Sequence, residues 1–266
     1  MTGYESFYRE FDSPLMRGLR QEAYGEDIGQ HSWVSAEEVR ADISRLHLSP
    51  ASEFLDLGCG PCGPLTYVLS GVGCRGTGVD ISSAALEAGR RRAVTLGVDA
   101  LFDVRAADMN ERLPFEPRSF DAVMSLDVVL HLRDRPTFFR EVARVLRPGG
   151  QFLFTDAGVI TGAVSNEEMQ KRSAHGFTQF VVAGWNEAQL GLAGLRLVES
   201  EDRTRSVLDN AGGRLSALRA HRKELEQVMS VADVERQLAY LETTAELSRR
   251  RAVSRFMYVA EVELPR

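Results

Sequence analysis

The run Gly58-Cys59-Gly60-Pro61-Cys62-Gly63 places three glycines in a short loop directly after the apolar segment Glu53-Phe54-Leu55-Asp56-Leu57. Without a β-carbon, glycine lets the backbone turn tightly and come close to a ligand. Asp80 follows about 20 residues later, the spacing at which an acid meets a ribose in adenosine-binding loops, and closes the run Arg75 to Ile81. Its carboxylate can accept hydrogen bonds from both ribose hydroxyls. Ala107-Asp108-Met109 comes after the next apolar run; Asp108 is placed to accept from an exocyclic amine while Met109 packs on an adenine ring. The first two features also occur in dinucleotide-dependent dehydrogenases, so an NAD-dependent oxidoreductase stays open on them. The third argues against it.

His131 stands beyond the fourth apolar run, at the end of the sheet where ligands bind, and histidine can take up a proton near neutral pH. It is the candidate general base, with an orienting hydrogen bond as its plainer role. Asp127 shares that location and can satisfy nearby backbone donors. His31 and Trp33 near the N-terminus, and His175, Phe177 and Trp185 after the fifth strand, are candidates to face one cleft. An aromatic lining would suit an apolar or cationic acceptor, and ordinary packing is the alternative for each. Cys59 and Cys62 form a C-x-x-C with no second pair or nearby histidine, so no metal site is expected.

These residues need a scaffold, and the pattern around them supplies one. Short apolar runs (EFLDL, RGTGVDI, LFDVRAA, FDAVMSL, QFLFTDA) alternate with amphipathic segments after Gly63, over Ala84 to Leu96 and over Thr137 to Leu146. Such alternation specifies right-handed crossovers and a doubly wound, mostly parallel α/β sheet. Residues 1–50 read as an N-terminal helical cap, in which SAEEVRADISRL starts with a Ser-x-x-Glu capping box and sets Val39, Ile43 and Leu46 on one face. Residues 51–160 form the core. Residues 161–254 hold a polar insertion, a helix over Asn186 to Ala193, the strand LRLVESED and a helical lid from Ala211 to Arg250. Residues 255–266 close the chain as a strand of the core sheet, at an edge or antiparallel.

The ordered set LDLGCGPCG, GVDIS, AADM, FDAVMSLDVVLHL and FFREVARVLRPGG, from about Ala51 to Ala157, resembles the motif set of class I S-adenosylmethionine-dependent methyltransferases. The resemblance implies a Rossmann-like fold with S-adenosyl-L-methionine as cofactor. It carries Asp56, Gly58, Cys59 and Gly60 to the methionine end, Asp80 and Ile81 to ribose and adenine, and Asp108 and Met109 to adenine. Ser125 and Leu126 correspond to the wall beside the reactive sulfonium, and Pro148-Gly149-Gly150 to a tight turn into the fifth strand. Pro61-Cys62 departs from the small or polar residues usual in that loop. The segment Tyr24-Gly25-Glu26-Asp27-Ile28-Gly29 is similar to the N-terminal part of methyltransferases acting on sarcosine and dimethylglycine, which implies a cap closing over the cofactor with Tyr24 at its methionine part. The implied reaction is methyl transfer to an oxygen, nitrogen or carbon nucleophile of a small molecule in specialised metabolism. A protein of this fold that binds the cofactor without transferring methyl, or uses it to shape a pocket for cyclisation, is the alternative.

Composition narrows the partners. With 266 residues, 44% hydrophobic and 26% charged, the chain can bury one sizeable core. A net charge of -6 and a pI near 5.5 disfavour a nucleic-acid partner. The basic run Arg249-Arg250-Arg251, with Arg255 beyond, reads as a solvated helix end. Three cysteines (Cys59, Cys62, Cys74), no membrane-length apolar run and no signal-peptide pattern point to a cytoplasmic protein. The apolar stripe from Leu215 to Glu242 is a helix-packing face or the seam of a homo-oligomer.

Overall fold

The computed structural model describes residues 8, 10–174 and 176–263. Five strands run parallel: β1 (Glu53–Leu57), β2 (Arg75–Asp80), β3 (Phe102–Ala106), β4 (Phe120–Leu126) and β5 (Leu146–Ile160). The short β6 (Val181–Val182) pairs with the end of β5, and β7 (Leu195–Asp202) and β8 (Val253–Val262) complete the sheet in the order β3-β2-β1-β4-β5-β8-β7. The succession reverses between β1 and β4, so the strand ends diverge there and leave a crevice for ligand. β8 runs antiparallel to both β5 and β7. The closing strand is therefore antiparallel but interior, and the edge belongs to β7, whose outward residues are polar except Val198.

Both faces of β1 are buried, with Phe54 in one hydrophobic cluster and Leu55 and Leu57 in the other. That two-sided burial is why the parallel strands read as nearly continuous apolar runs. One face is covered by α2 (Ala36–Arg45), α3 (Gly63–Val72) and α4 (Ser83–Leu96) through Val39, Leu65, Val68 and Leu86. The other is covered by α5 (Arg135–Val145) and α7 (Trp185–Leu192) through Phe138, Phe139, Val142 and Leu190. Phe152 and Phe154 stack at 4.9 Å, and Phe154 stacks on Tyr258 at 4.8 Å, which joins β5 to β8 through aromatic contacts.

Outside this core, α1 (Pro14–Tyr24) packs on α8 (Thr204–Ala220), α9 (Arg222–Val228) and α10 (Val231–Arg249) through Leu19, Ala217, Leu225, Val234 and Leu238. The apolar stripe of the lid thus closes on the N-terminal cap of the same chain. The polar insertion after β5 carries α6 (Asn166–Arg172), with a complete capping box between Ser165 and Glu168.

Some local expectations change. Ser35 caps α2 by accepting from the Glu38 amide at 3.1 Å, but the Glu38 carboxylate pairs with Arg255 instead of returning to the cap. The Pro148-Gly149-Gly150 turn is absorbed into β5, where the pairing with β4 shifts register and Gly149 takes φ +78°. Helix α8 starts ahead of Ala211, at Thr204. Arg249, Arg250 and Arg251 are exposed and paired with Glu246, Glu168 and Asp202, whereas Arg255 is fully buried and is no part of a solvated face.

Candidate active site

The strand ends and the cap and lid helices line a cavity of about 520 Å³ that is partly open to solvent. Its floor is the loop after β1. Gly58 has φ +76°, and a β-carbon there would come within 2.4 Å of the Val128 side chain. Gly58 and Cys59 both donate their amides to the Val79 carbonyl, at 2.8 and 3.0 Å, which anchors the loop to β2. Cys62 is left-handed (φ 59°) and starts α3, accounting for the unusual Pro-Cys pair as a helix entrance. The thiols of Cys59 and Cys62 lie 3.5 Å apart and are buried. Gly78 on β2 and Gly89 on α4 make room for them: a β-carbon at either would meet a sulfur at 2.7 or 2.5 Å. Burial, then the hydrogen bond to Cys62, hold the Cys59 thiol well above its ordinary pKa, so it packs as a neutral group.

Three acids stand on successive strand ends around this loop. Asp56 is 3% exposed; burial, with the Asp80 charge adding to it, pushes its pKa up to about 8. Asp80 accepts from the Gly60 amide and from the Ser82 amide, both at 2.9 Å. Asp108 accepts from the amide and side chain of Asn110 at 2.9 and 2.8 Å. Met109 is buried beside it, and Ile81 is 63% exposed at the rim. Asp56, Gly58, Cys59, Gly60, Asp80, Ile81, Asp108, Met109 and Leu126 all line the one cavity. Ser125 does not. Side chains alternate along β4, and the neighbour of a cavity-facing Leu126 must point away; its hydroxyl donates to the Leu57 carbonyl at 2.9 Å.

His31, Trp33, His131 and Phe177 line the remaining part of the cavity, while His175 lies outside the described residues. His131 Nδ1 is 3.0 Å from the Phe177 carbonyl oxygen. A carbonyl only accepts, so Nδ1 carries the hydrogen and Nε2 is the acceptor of the ring. Burial, and secondarily the charge of Arg172, lower the His131 pKa, so the ring is neutral at pH 7. Tyr24 instead lines a second, apolar cavity of about 60 Å³ beneath α1, and donates to the Ser32 carbonyl at 2.9 Å. Trp185 packs against Arg135 beneath the sheet, away from the cavity.

Asp127 ties these parts together. It is left-handed (φ 57°) at the end of β4, a strained conformation for a residue with a side chain. Its carboxylate accepts from the Trp33 amide at 2.9 Å, from Thr155 at 2.8 Å and from Arg255 Nε at 2.9 Å. Arg255 also reaches Glu38 and Ser206, each at 2.9 Å. One buried guanidinium thus joins β8, the cap and α8 behind the cavity. Residue types and spacing read Arg255 only as the end of a basic run and do not single out Arg172, Arg214 or Tyr240, because these residues lie on elements far apart in the chain. The last three line the cavity.

Sheet order, glycine loop and acid positions define a Rossmann-like fold with its ligand crevice at the strand ends. Residues 55–154 match the family model described as a methyltransferase domain, and this segment belongs to that family, of the S-adenosylmethionine-dependent class. The chain is 37% identical over 142 residues to the sarcosine/dimethylglycine N-methyltransferase of Halorhodospira halochloris, covering 50% of each. It is 29% identical over 216 residues to the 27-O-demethylrifamycin SV methyltransferase of Amycolatopsis mediterranei, covering 76% of this chain and 79% of that one. The solved cyclopropane synthase MmaA2 of Mycobacterium tuberculosis shares the fold with a TM-score of 0.81 at 17% identity, over 98% of this chain and 99% of that one. The chain spans half or less of the length of several curated relatives: 40%, 35% and 50% of three of them. Among the described residues no helix is long and apolar enough to cross a membrane.

Proposed function

We propose that the chain transfers the methyl group of S-adenosylmethionine to an oxygen, nitrogen or carbon nucleophile of a small-molecule acceptor, in specialised metabolism and in the cytosol. The observation that carries this reading is the shared cavity, with Asp56, Asp80 and Asp108 around the glycine loop on one side and His31, Trp33, His131 and Phe177 on the other. About 520 Å³ suits enclosed small ligands, not a polymer. The donor set fits the cofactor. Asp56 answers a buried ammonium, Asp80 a ribose diol, and Asp108, held by Asn110, an exocyclic amine, with Met109 and Ile81 against the adenine.

The cofactor, when bound, supplies a methyl group on a sulfonium, already a strong electrophile. The chain's own part is to align the acceptor and keep water out. Cap and lid helices cover the site, and Leu126 with Val128 wall the cofactor side. His131, neutral with Nε2 as acceptor, takes a proton from acceptors that must lose one. The relative named for 27-O-demethylrifamycin SV supports a specialised metabolite as acceptor. Three buried free thiols fit a reducing compartment.

Mass spectrometry after incubation with methyl-labelled cofactor and a metabolite extract tests this. A labelled small molecule is expected. Label found only in protein or RNA, or calorimetry in which NAD binds and S-adenosylmethionine does not, overturns the reading.

A further inference from the structure

Five arginines among the described residues are buried. Four of them face a carboxylate: Arg20 meets Asp27 at 2.8 Å, Arg135 meets Asp156 at 2.6 Å, Arg203 meets Asp42 at 2.6 Å and Arg255 meets Asp127 at 2.9 Å. Arg172 is the exception. It is 3% exposed, and its guanidinium donates to neutral oxygens, the Tyr240 hydroxyl at 2.8 Å and the Ala157 carbonyl at 3.3 Å. A buried cation without a counter-charge is unfavourable, and this one lines the cavity.

Arg214 enters the same space from α8, likewise without a carboxylate among the described residues. Its Cζ lies 5.0 Å from the Trp33 ring centroid and that of Arg172 lies 5.6 Å from it; Arg172 is also 5.1 Å from the Tyr240 ring. The aromatic pair Trp33–Tyr240, stacked at 6.1 Å, therefore already carries two cations. A cationic acceptor would meet like charge here. Asp127 does not offset it, since its oxygens are taken by Arg255, Thr155 and the Trp33 amide.

We propose that the acceptor is an organic anion whose carboxylate or phosphate is held by Arg172 and Arg214 beside Trp33 and Tyr240. Both anions offer paired oxygens to a guanidinium fork, and ionic hydrogen bonds in a shielded site are the strong ones. The anion supplies the counter-charge Arg172 lacks and anchors the acceptor at one end, leaving its nucleophile to be turned toward the cofactor. The inference rests on the cavity being a methyl-transfer site, and its test separates the two ideas.

Calorimetry on protein saturated with S-adenosylhomocysteine would compare benzoate and phenyl phosphate with benzamide and benzylamine as probes. Anion binding stronger than the neutral and cationic probes by roughly 10- to 100-fold is expected, the range for hydrogen bonds to charged groups. The stronger of benzoate and phenyl phosphate identifies the anion. Arg214→Met, at a half-buried position, should abolish the preference and Arg214→Lys retain part of it, while S-adenosylhomocysteine affinity stays unchanged in both; Arg172→Met should act likewise where thermal melting shows it folded. Equal binding of benzamide or benzylamine, no binding of either anion, or a preference that survives Arg214→Met overturns the proposal. Failure of S-adenosylhomocysteine to bind would instead sink the methyl-transfer reading, and the four probes would then be compared on the protein alone, with the same outcomes deciding. A labelled product from the metabolite extract that passes an anion exchanger unretained also counts against the proposal.

Discussion

On the proposed reading, Asp56 is a single buried carboxylate through which pH would act on both stability and cofactor binding. Because its pKa in the folded chain is raised to about 8, the unfolded state ionises first as pH rises from 3.8. Stability present below pH 3.8 is thus lost progressively up to about pH 8, and Asp56→Asn escapes the loss. The variant should match the parent in melting temperature near pH 4 and exceed it increasingly toward pH 8, while binding cofactor poorly. An arriving ammonium reverses the preference for the neutral acid. Calorimetry at pH 7 in buffers of different ionisation heat should therefore detect close to one proton released on cofactor binding, absent in Asp56→Asn. At His131 the sign differs. Its lowered pKa keeps it a base through neutral pH, so kcat/KM for an acceptor that must lose a proton should rise with pH below 6.5 and then level off. His131→Ala should reduce kcat by roughly 10² to 10⁴-fold for that acceptor, the usual span for general-base loss, and leave cofactor affinity unchanged.

Between elements, close backbone approaches set the geometry of the loop. A β-carbon on Gly63 would lie 2.1 Å from the Gly29 carbonyl oxygen, so the first turn of α3 is pressed against the cap segment that follows α1. Gly58 does the same against the turn after β4. Gly58→Ala should cost about 1–3 kcal/mol in urea unfolding, from left-handed strain plus the clash with Val128. Adding Val128→Ala should recover the clash but not the strain, giving a favourable coupling in a double-mutant cycle. The strands and the α4 and α5 helices were readable because burial on both sheet faces and on one helix face imprints a period. β8 was recognisable as a strand from its alternation, but its place between β5 and β7 was not, since pairing partners leave no mark on a single strand's pattern.

At the scale of the whole molecule, Arg255 joins regions that the chain keeps far apart: Asp127 after β4, Glu38 in the cap and Ser206 in α8. Arg255→Met would leave Asp127 without its buried partner, and breaking such a pair costs about 3–5 kcal/mol. Urea denaturation should show that loss. Cofactor affinity should fall less than acceptor binding, because Asp127 positions the Trp33 amide and not the glycine loop.

The sequence by itself determined the sheet-and-helix alternation, the glycine loop and the three acids, because each is a local pattern with a local physical cause: burial period, backbone freedom, charge at a strand end. Ser125 and Tyr24 show the limit of that reading. One residue of register, or one turn of helix, moves a side chain from the cavity to the packing behind it. Only the tertiary structure decided which arginines are buried and, among the described residues, which of those face a carboxylate and which one does not. That decision depends on desolvation by elements more than a hundred residues away, as between Arg255 and Asp127, and no spacing in the chain encodes it.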